Sequence, residues 1–117
     1  MSHAEPIYSS LATDPVLGEI VELFVDEIPD RIGTLKLQAT AKDWDGLGRT
    51  AHQLKGALGS HGFHEGTPAA KMLETAVRDE LPESRILEAL DEMIDLCRRL
   101  TAGTPPAANS EKTPSDR

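Results

Sequence analysis

Apolar residues recur at helical spacing in four successive segments of this chain, and no other feature constrains its fold as strongly. The clearest example is the set Leu47, Ala51, Leu54 and Leu58, which lie at i, i+4, i+7 and i+11. Residues with this spacing share one face of an α-helix. Only 3% of the residues are aromatic, so packing among such helices would be mainly aliphatic. We therefore predict an all-α fold, an antiparallel four-helix bundle.

The first helix is predicted to be long and kinked, over about residues 14–42. Asp14 followed by Pro15 is typical of an N-cap residue and the first helical position. Pro29 removes one backbone hydrogen bond, but the apolar spacing continues across it, which favours a single kinked helix over two helices. The apolar face of this helix consists of Leu17, Ile20, Phe24, Ile28, Ile32, Leu35 and Ala39.

Three more helices are predicted over about residues 44–61, 68–80 and 83–101. Asp43 is a typical N-cap for the first, Gly62 is expected to end it in a left-handed conformation, and Thr67–Pro68 begins the next. Cys97 lies on an apolar stripe and is interpreted as a buried structural thiol. The predicted buried residues are Met72, Leu73, Ala76 and Val77 in the third helix of the chain, and Ile86, Leu90, Met93, Ile94, Cys97 and Leu100 in the fourth.

The chain divides into three parts on sequence alone. Residues 1–13 are predicted to be an N-terminal arm, in which Ile7 and Leu11 lie against the bundle, and residues 14–101 are predicted to be the helical domain itself. Residues 102–117 consist largely of Gly, Pro, Ala, Ser and charged residues. Such a segment buries too little apolar surface to offset the entropy of ordering, so a disordered polar tail is predicted.

The charge of the chain argues against some classes of partner. The formal net charge is −8 and the pI is about 4.9, whereas nucleic-acid phosphates are bound by clustered Lys and Arg. No segment approaches the ~20 consecutive apolar residues that span a bilayer, and the N-terminus lacks the pattern of a signal peptide. We expect a monomeric, cytoplasmic protein that binds neither nucleic acid nor membrane.

His52 lies on the face of its helix that is opposite the apolar stripe. At roughly 100° per residue, its side chain points about 130° away from the centre of that stripe, and three glycines lie within roughly 40° of it. These are Gly48, Gly56 and Gly59. Each interior glycine costs a helix about 1 kcal/mol relative to alanine. Glycines around an exposed histidine therefore indicate that another group needs space there.

The segment around His52 also contains no negative charge. Residues 46–64 include no Asp or Glu, although 20 of the 117 residues are acidic. Arg49 and Lys55 lie in the same window, and Lys55 is one turn after His52, where side chains on a helix are neighbours. An exposed imidazole with free space and a nearby ammonium group suits a phosphoryl group on a ring nitrogen.

These residues resemble a known family, the histidine-containing phosphotransfer domains of bacterial multistep two-component phosphorelays. The resemblance covers roughly residues 7–80. It rests on Ala51-His52-x-Leu54-Lys55-Gly56-Ala57, on Gly59-Ser60 and Gly62, on Asp43-Trp44 before them, and on Leu73-Glu74 in the next helix. It implies that His52 is the phosphoacceptor, that Lys55 stabilises the phosphoryl charge, and that Gly56 admits the phosphate, with Gly48 and Gly59 as further clearance.

The resemblance also implies partners and a type of activity. The partners would be receiver domains of response regulators, a hybrid histidine kinase, or both, and the receiver domain would supply the Mg²⁺, since no metal or cofactor site is predicted in this chain. Arg49, Gln53 and Ser60 are candidate partner contacts. The expected protein is a phosphotransfer intermediate without autokinase activity, which takes a phosphoryl group from one receiver aspartate and passes it to another.

Two other functions are open on the sequence. The first is metal binding, for which the ligands would be the imidazoles of His61 and His64 and the carboxylate of Glu65, with His52 or His3 as a further ligand. However, a divalent site needs three or four converging ligands, and His52 is phased about 180° from His61. A helical adaptor without chemistry would explain the apolar stripes, but it would leave the glycine-lined histidine unexplained.

Overall fold

The computed structural model describes residues 5–105, and these form four helices and a pair of very short strands. The all-α class predicted from the sequence is therefore confirmed. Residues 106–117 of the predicted tail and residues 1–4 of the predicted arm lie outside the described residues. The elements are β1 (Ile7–Tyr8), α1 (Leu17–Thr40), α2 (Trp44–Ser60), a 3₁₀ turn (His64–Gly66), α3 (Thr67–Arg78), α4 (Glu83–Arg99) and β2 (Leu100–Thr101).

Side chains from all four helices form one core, and this core is mostly aliphatic. Leu35, Leu47, Leu73 and Met93, one from each helix, are fully buried. The α2 stripe predicted from the sequence is at most 1% exposed, so the phase of the histidine helix is as expected. Contacts between α2 and α3 run in opposite chain order, which fits the predicted antiparallel packing: Gly48 lies against Val77, and Gly59 lies near Thr67.

The first helix continues across Pro29 without a break, as predicted, but it begins three residues later than expected, at Leu17. Asp14 acts before the helix: its Oδ1 accepts hydrogen bonds from the backbone N–H groups of Val16 and Leu17, both at 2.9 Å. The bond from Leu17 and then that from Val16 lower the pKa of the Asp14 carboxyl group. Asp14 therefore caps the turn that leads into α1.

Two residues at the start of α1 are not in the core, contrary to the prediction. Leu17 is 37% exposed and Ile20 is 43% exposed. Val21 is buried in their place, so the buried face of α1 runs through Val21, Phe24 and Ile28. Ile20 lies about 80° from the centre of that face at 100° per residue, and Leu17 is the first residue of the helix.

The start and end of α2 follow the sequence signals. The Asp43 side chain accepts a hydrogen bond from the Gly46 N–H at 3.0 Å and caps the helix. Gly62 follows the helix with φ of +82°, a left-handed conformation in which glycine has no steric penalty.

In α3 the predicted buried face needs one correction, because Met72 is 65% exposed. The buried positions are Ala70, Leu73 and Ala76, and Val77 is partly buried against them. A face centred on these residues directs Met72, about 100° from Leu73, away from the core. The α4 stripe is buried as predicted, and burial raises the pKa of the Cys97 thiol to about 12.

The N-terminal segment packs against the bundle, with both predicted anchors in place. Ile7 is 6% exposed, and Leu11 packs against the core. The sequence did not predict the strand pairing that holds this segment: β1 pairs in parallel with β2, with Ile7 opposite Leu100. Ser9 Oγ also donates a hydrogen bond to the His61 carbonyl oxygen at 2.6 Å. The exact division into arm, bundle and tail stays a prediction.

No helix among residues 5–105 is both long enough and apolar enough to cross a bilayer.

Candidate functional site

His52 projects from α2 into solvent, as the apolar phase of the helix predicts. Its side chain is 64% exposed, while its neighbour Ala51 is fully buried. The ring lies on a shallow groove of about 440 Å³ between α2 and α3. The groove is lined by Asp45, Gly48, Arg49, His52 and Gln53 from α2 and by Glu74, Val77 and Arg78 from α3.

A carboxylate from α3 contacts the histidine directly. Glu74 Oε2 lies 2.8 Å from His52 Nδ1, and Glu74 Oε1 lies 2.8 Å from Lys55 Nζ. The Glu74 side chain is 17% exposed and that of Lys55 is 28% exposed. The sequence window around His52 contains no acidic residue, but in the folded chain an acidic side chain from α3 lies next to the ring. The prediction that no negative charge surrounds His52 is therefore wrong.

This contact fixes the protonation pattern of the imidazole. An ionised carboxylate only accepts hydrogen bonds, so the hydrogen bond to Glu74 assigns the proton to Nδ1, which donates it. In the neutral imidazole, the other ring nitrogen, Nε2, then carries the lone pair. His52 therefore presents a nucleophilic nitrogen on an exposed ring, while Glu74 orients that ring.

Glu74 is ionised more readily than an ordinary glutamate. The hydrogen bond from Lys55 is the largest effect that lowers the pKa of Glu74, and the bond from His52 acts in the same direction, while burial opposes both. Because the folded-state pKa is lowered, the ionised carboxylate stabilises the fold at pH values above the unfolded value of 4.5. This stabilisation is lost as the pH falls through the lower folded-state pKa.

A pH-dependent effect of Glu74→Gln on stability is therefore expected. The variant should have a smaller free energy of unfolding than the wild type at about pH 7, and the difference should be smaller at about pH 3, because the stabilisation declines as the pH falls below 4.5 toward the lowered folded-state pKa. Urea unfolding of both proteins at the two pH values measures this. Glu92→Gln, at an exposed position of α4, is the matched control. A difference for Glu74→Gln that is the same at both pH values would contradict the assignment.

The three glycines near His52 have different surroundings. A Cβ on Gly56 would meet no atom within 4 Å, so this position is open, as predicted. Gly59 is partly buried, and a Cβ there would lie 3.9 Å from Thr67 Oγ1. A Cβ on Gly48 would lie only 3.2 Å from Val77 Cγ1. Gly48 therefore allows α2 and α3 to pack closely at Val77, although it also lines the His52 groove. Its role as clearance for the phosphoryl group stays a prediction.

The predicted partner contacts fall in two places. Arg49 and Gln53 are exposed and line the His52 groove. Ser60 is exposed at the end of α2, where its Oγ donates to the Ala57 carbonyl oxygen at 3.2 Å, and it does not line that groove. The sequence reasoning missed the contribution of α3, namely Glu74, Val77 and Arg78. Glu74 is part of the motif that carries the family resemblance, but nothing in its local spacing indicates contact with His52.

The remaining described histidines are engaged elsewhere or isolated. His61 stacks on Phe24, and its Nδ1 lies 2.7 Å from the Ala57 carbonyl oxygen. His64 is exposed in the 3₁₀ turn. Among residues 5–105, no three His, Cys, Asp or Glu side chains converge as a metal site would require. The structure thus gives no support to the metal-binding alternative.

A comparison with models of protein families identifies a family for this chain. The model of the Hpt domain family matches residues 19–100, a range that contains all four helices except the first two residues of α1, and includes the whole His52 groove. Neither the curated proteins nor the solved structures contain a significant match to the chain.

Proposed function

This chain belongs to the Hpt domain family, whose members carry phosphoryl groups on histidine in phosphorelays, and from that membership we propose that His52 is its phosphoacceptor. The observation that carries the assignment is the hydrogen bond between His52 Nδ1 and Glu74. It leaves Nε2 as the ring nitrogen that can act as a nucleophile. Members of the family interact with receiver domains and histidine kinases, and we propose that this chain exchanges its phosphoryl group with receiver domains.

The proposed reaction is an in-line displacement at phosphorus. The lone pair of His52 Nε2 attacks the phosphorus of an aspartyl phosphate in the partner, and a nitrogen–phosphorus bond forms. The bond between phosphorus and the aspartate oxygen breaks, and the aspartate leaves as a carboxylate with the electron pair. The transfer to a second receiver aspartate is the same reaction in reverse. No net proton transfer is required, since Nδ1 keeps its proton throughout.

Glu74 acts in this reaction through the imidazole ring. As Nε2 bonds to phosphorus while Nδ1 stays protonated, the ring gains positive charge, which a carboxylate 2.8 Å from Nδ1 stabilises. Lys55 holds the other oxygen of the same carboxylate. We therefore propose that Lys55 positions Glu74 through one of its three N–H donors, which leaves two donors for a phosphoryl group or water.

We propose that the chain is a carrier without autokinase activity, with the partner supplying the rest of the apparatus. The sequence contains no glycine-rich nucleotide loop of the P-loop or dinucleotide-binding type. The Mg²⁺ needed for transfer is accordingly proposed to be bound by the receiver domain.

Phosphorylation of the purified full chain tests this proposal. Incubation with a phosphorylated receiver domain is expected to add one phosphoryl group, and incubation with Mg²⁺ and ATP alone is expected to add none. Intact-mass measurement at neutral pH, followed by peptide mapping under conditions that preserve phosphohistidine, locates the modified residue. Labelling by ATP alone would contradict the carrier role, and a phosphoryl group on any residue other than His52 would contradict the site.

A further inference from the structure

The ammonium group next to His52 is already engaged. Lys55 Nζ lies 2.8 Å from Glu74 Oε1, with 28% of the lysine side chain and 17% of the glutamate side chain exposed. Lys55 has three N–H donors and can contact a phosphoryl group without leaving Glu74, but turning fully toward that group would break a largely sheltered ion pair. Removing one partner from such a pair leaves the other charge poorly compensated. A further cation near His52 would meet the phosphoryl oxygens without drawing on the positive charge that Lys55 shares with Glu74.

Arg49 is such a cation. It lies three residues before His52 on α2, is exposed, and lines the same groove. Among the residues that the structure describes it forms no ion pair, even with Asp45, which lies one turn earlier on the groove. No described carboxylate thus lies within 4 Å of its guanidinium nitrogens, which leaves the donors of Arg49 open to another anion near the histidine ring.

A second arginine reaches the same groove from α3. Arg78 lines the groove next to Val77, and its present contacts are long: 3.8 Å from Nε to Asp79 Oδ1 and 3.4 Å from Nη2 to Thr75 Oγ1. Its side chain is 64% exposed. Ion pairs of this length at an exposed surface contribute little, so Arg78 can leave these partners at small cost.

We propose that Arg49, assisted by Arg78, binds the oxygen atoms of the phosphoryl group carried on His52 Nε2. This inference rests on the proposed function of His52. A guanidinium group presents paired N–H donors that match two phosphoryl oxygens, whereas an ammonium group acts as a point charge. Cations are needed beside His52 because negative charges surround the position of the phosphoryl group. The groove also holds the carboxylates of Asp45 and Glu74, which repel an incoming phosphoryl group, and the chain as a whole has a net charge of −8.

The experiment measures phosphorylation of His52 in the full chain by two donors, a phosphorylated receiver domain and phosphoramidate. Phosphoramidate is a small donor that has no docking surface. His52 Nε2 attacks its phosphorus, the phosphorus–nitrogen bond of the reagent breaks, and the nitrogen leaves as ammonia with the protons it carries. The proteins compared are the wild type, Arg49→Ala, Arg49→Lys, the double variant Arg49→Ala/Arg78→Ala, and Arg98→Ala. Arg98 is exposed at the end of α4, so its removal makes the same change in net charge outside the groove.

Arg49→Ala is expected to slow labelling by both donors by roughly tenfold, as the loss of a charge-assisted hydrogen bond would. Arg49→Lys should recover part of that rate, the double variant should be slower still, and Arg98→Ala should match the wild type. Wild-type rates for Arg49→Ala with both donors would overturn the inference and leave the role of His52 intact. Slowing with the receiver domain alone would also overturn it, because Arg49 would then contact the partner and not the phosphoryl group. A wild type that neither donor labels on His52 would remove the proposed function and this inference together.

Discussion

Replacing His52 with glutamine is expected to abolish acceptance of a phosphoryl group from a receiver domain while leaving the fold intact. The side chain is 64% exposed, so its packing contribution is small. Glutamine has no nucleophilic nitrogen, because the lone pair of an amide nitrogen is delocalised into the carbonyl group. The expected result is a complete loss of labelling in the intact-mass measurement, with a thermal unfolding midpoint close to that of the wild type.

The matched control for this prediction is His64→Gln. His64 is the other described histidine whose residue is exposed, but it lies in the 3₁₀ turn and does not line the groove. This variant should be labelled at the wild-type rate. Equal labelling of His52→Gln and the wild type would show that the phosphoryl group is carried elsewhere.

The exposure of His52 could be predicted from the sequence because it depends on one helix alone. Once Leu47, Leu54 and Leu58 are assigned to the core, the rise and rotation of the helix determine which way every other side chain of α2 points. The same reasoning placed Gly56 on the open face, where the structure shows no atom near a potential Cβ. Both conclusions require no knowledge of how α2 packs against its neighbours.

The carboxylate at the site could not be predicted in this way. Glu74 is 22 residues from His52 in the chain, and the contact depends on how α3 slides along α2 and rotates about its own axis. That register is set by close contacts such as Gly48 against Val77, which no periodicity within a single helix encodes. An acid-free sequence window around His52 therefore did not mean an acid-free site.

The ends of elements were hard to predict for a related reason. Leu100 continues the apolar stripe of α4 and was assigned to the helix, but its φ of −63° and ψ of 127° are extended, and it pairs with Ile7 as part of β2. A single apolar residue at the end of a helix has the same spacing in either conformation. The extended conformation of Leu100 is accompanied by pairing with Ile7, which lies near the other end of the chain.

Gly56 is the position where stability and function are expected to oppose each other. It lies within α2, is exposed, and has no atom within 4 Å of a potential Cβ. Gly56→Ala should therefore raise the free energy of unfolding by up to about 1 kcal/mol, because glycine loses more backbone entropy on folding. Gly56→Gln and Gly56→Glu should also fold, since their side chains extend into solvent one turn after His52.

Those longer side chains would occupy the space beside the His52 ring that a phosphoryl group and the partner must enter. Transfer from a receiver domain should fall steeply for Gly56→Gln and further for Gly56→Glu, which adds a negative charge beside the phosphoryl group. The chain offers a matched control in Gly33, which is also exposed and helical with no atom within 4 Å of a potential Cβ, but which lies on α1 and not on the histidine helix. Gly33→Glu should fold and accept a phosphoryl group at the wild-type rate. Thermal unfolding and single-turnover transfer would be measured on all four variants. Normal transfer by Gly56→Glu would show that this glycine does not clear space for the phosphoryl group. Unfolding of Gly56→Gln would show that the glycine is needed for packing.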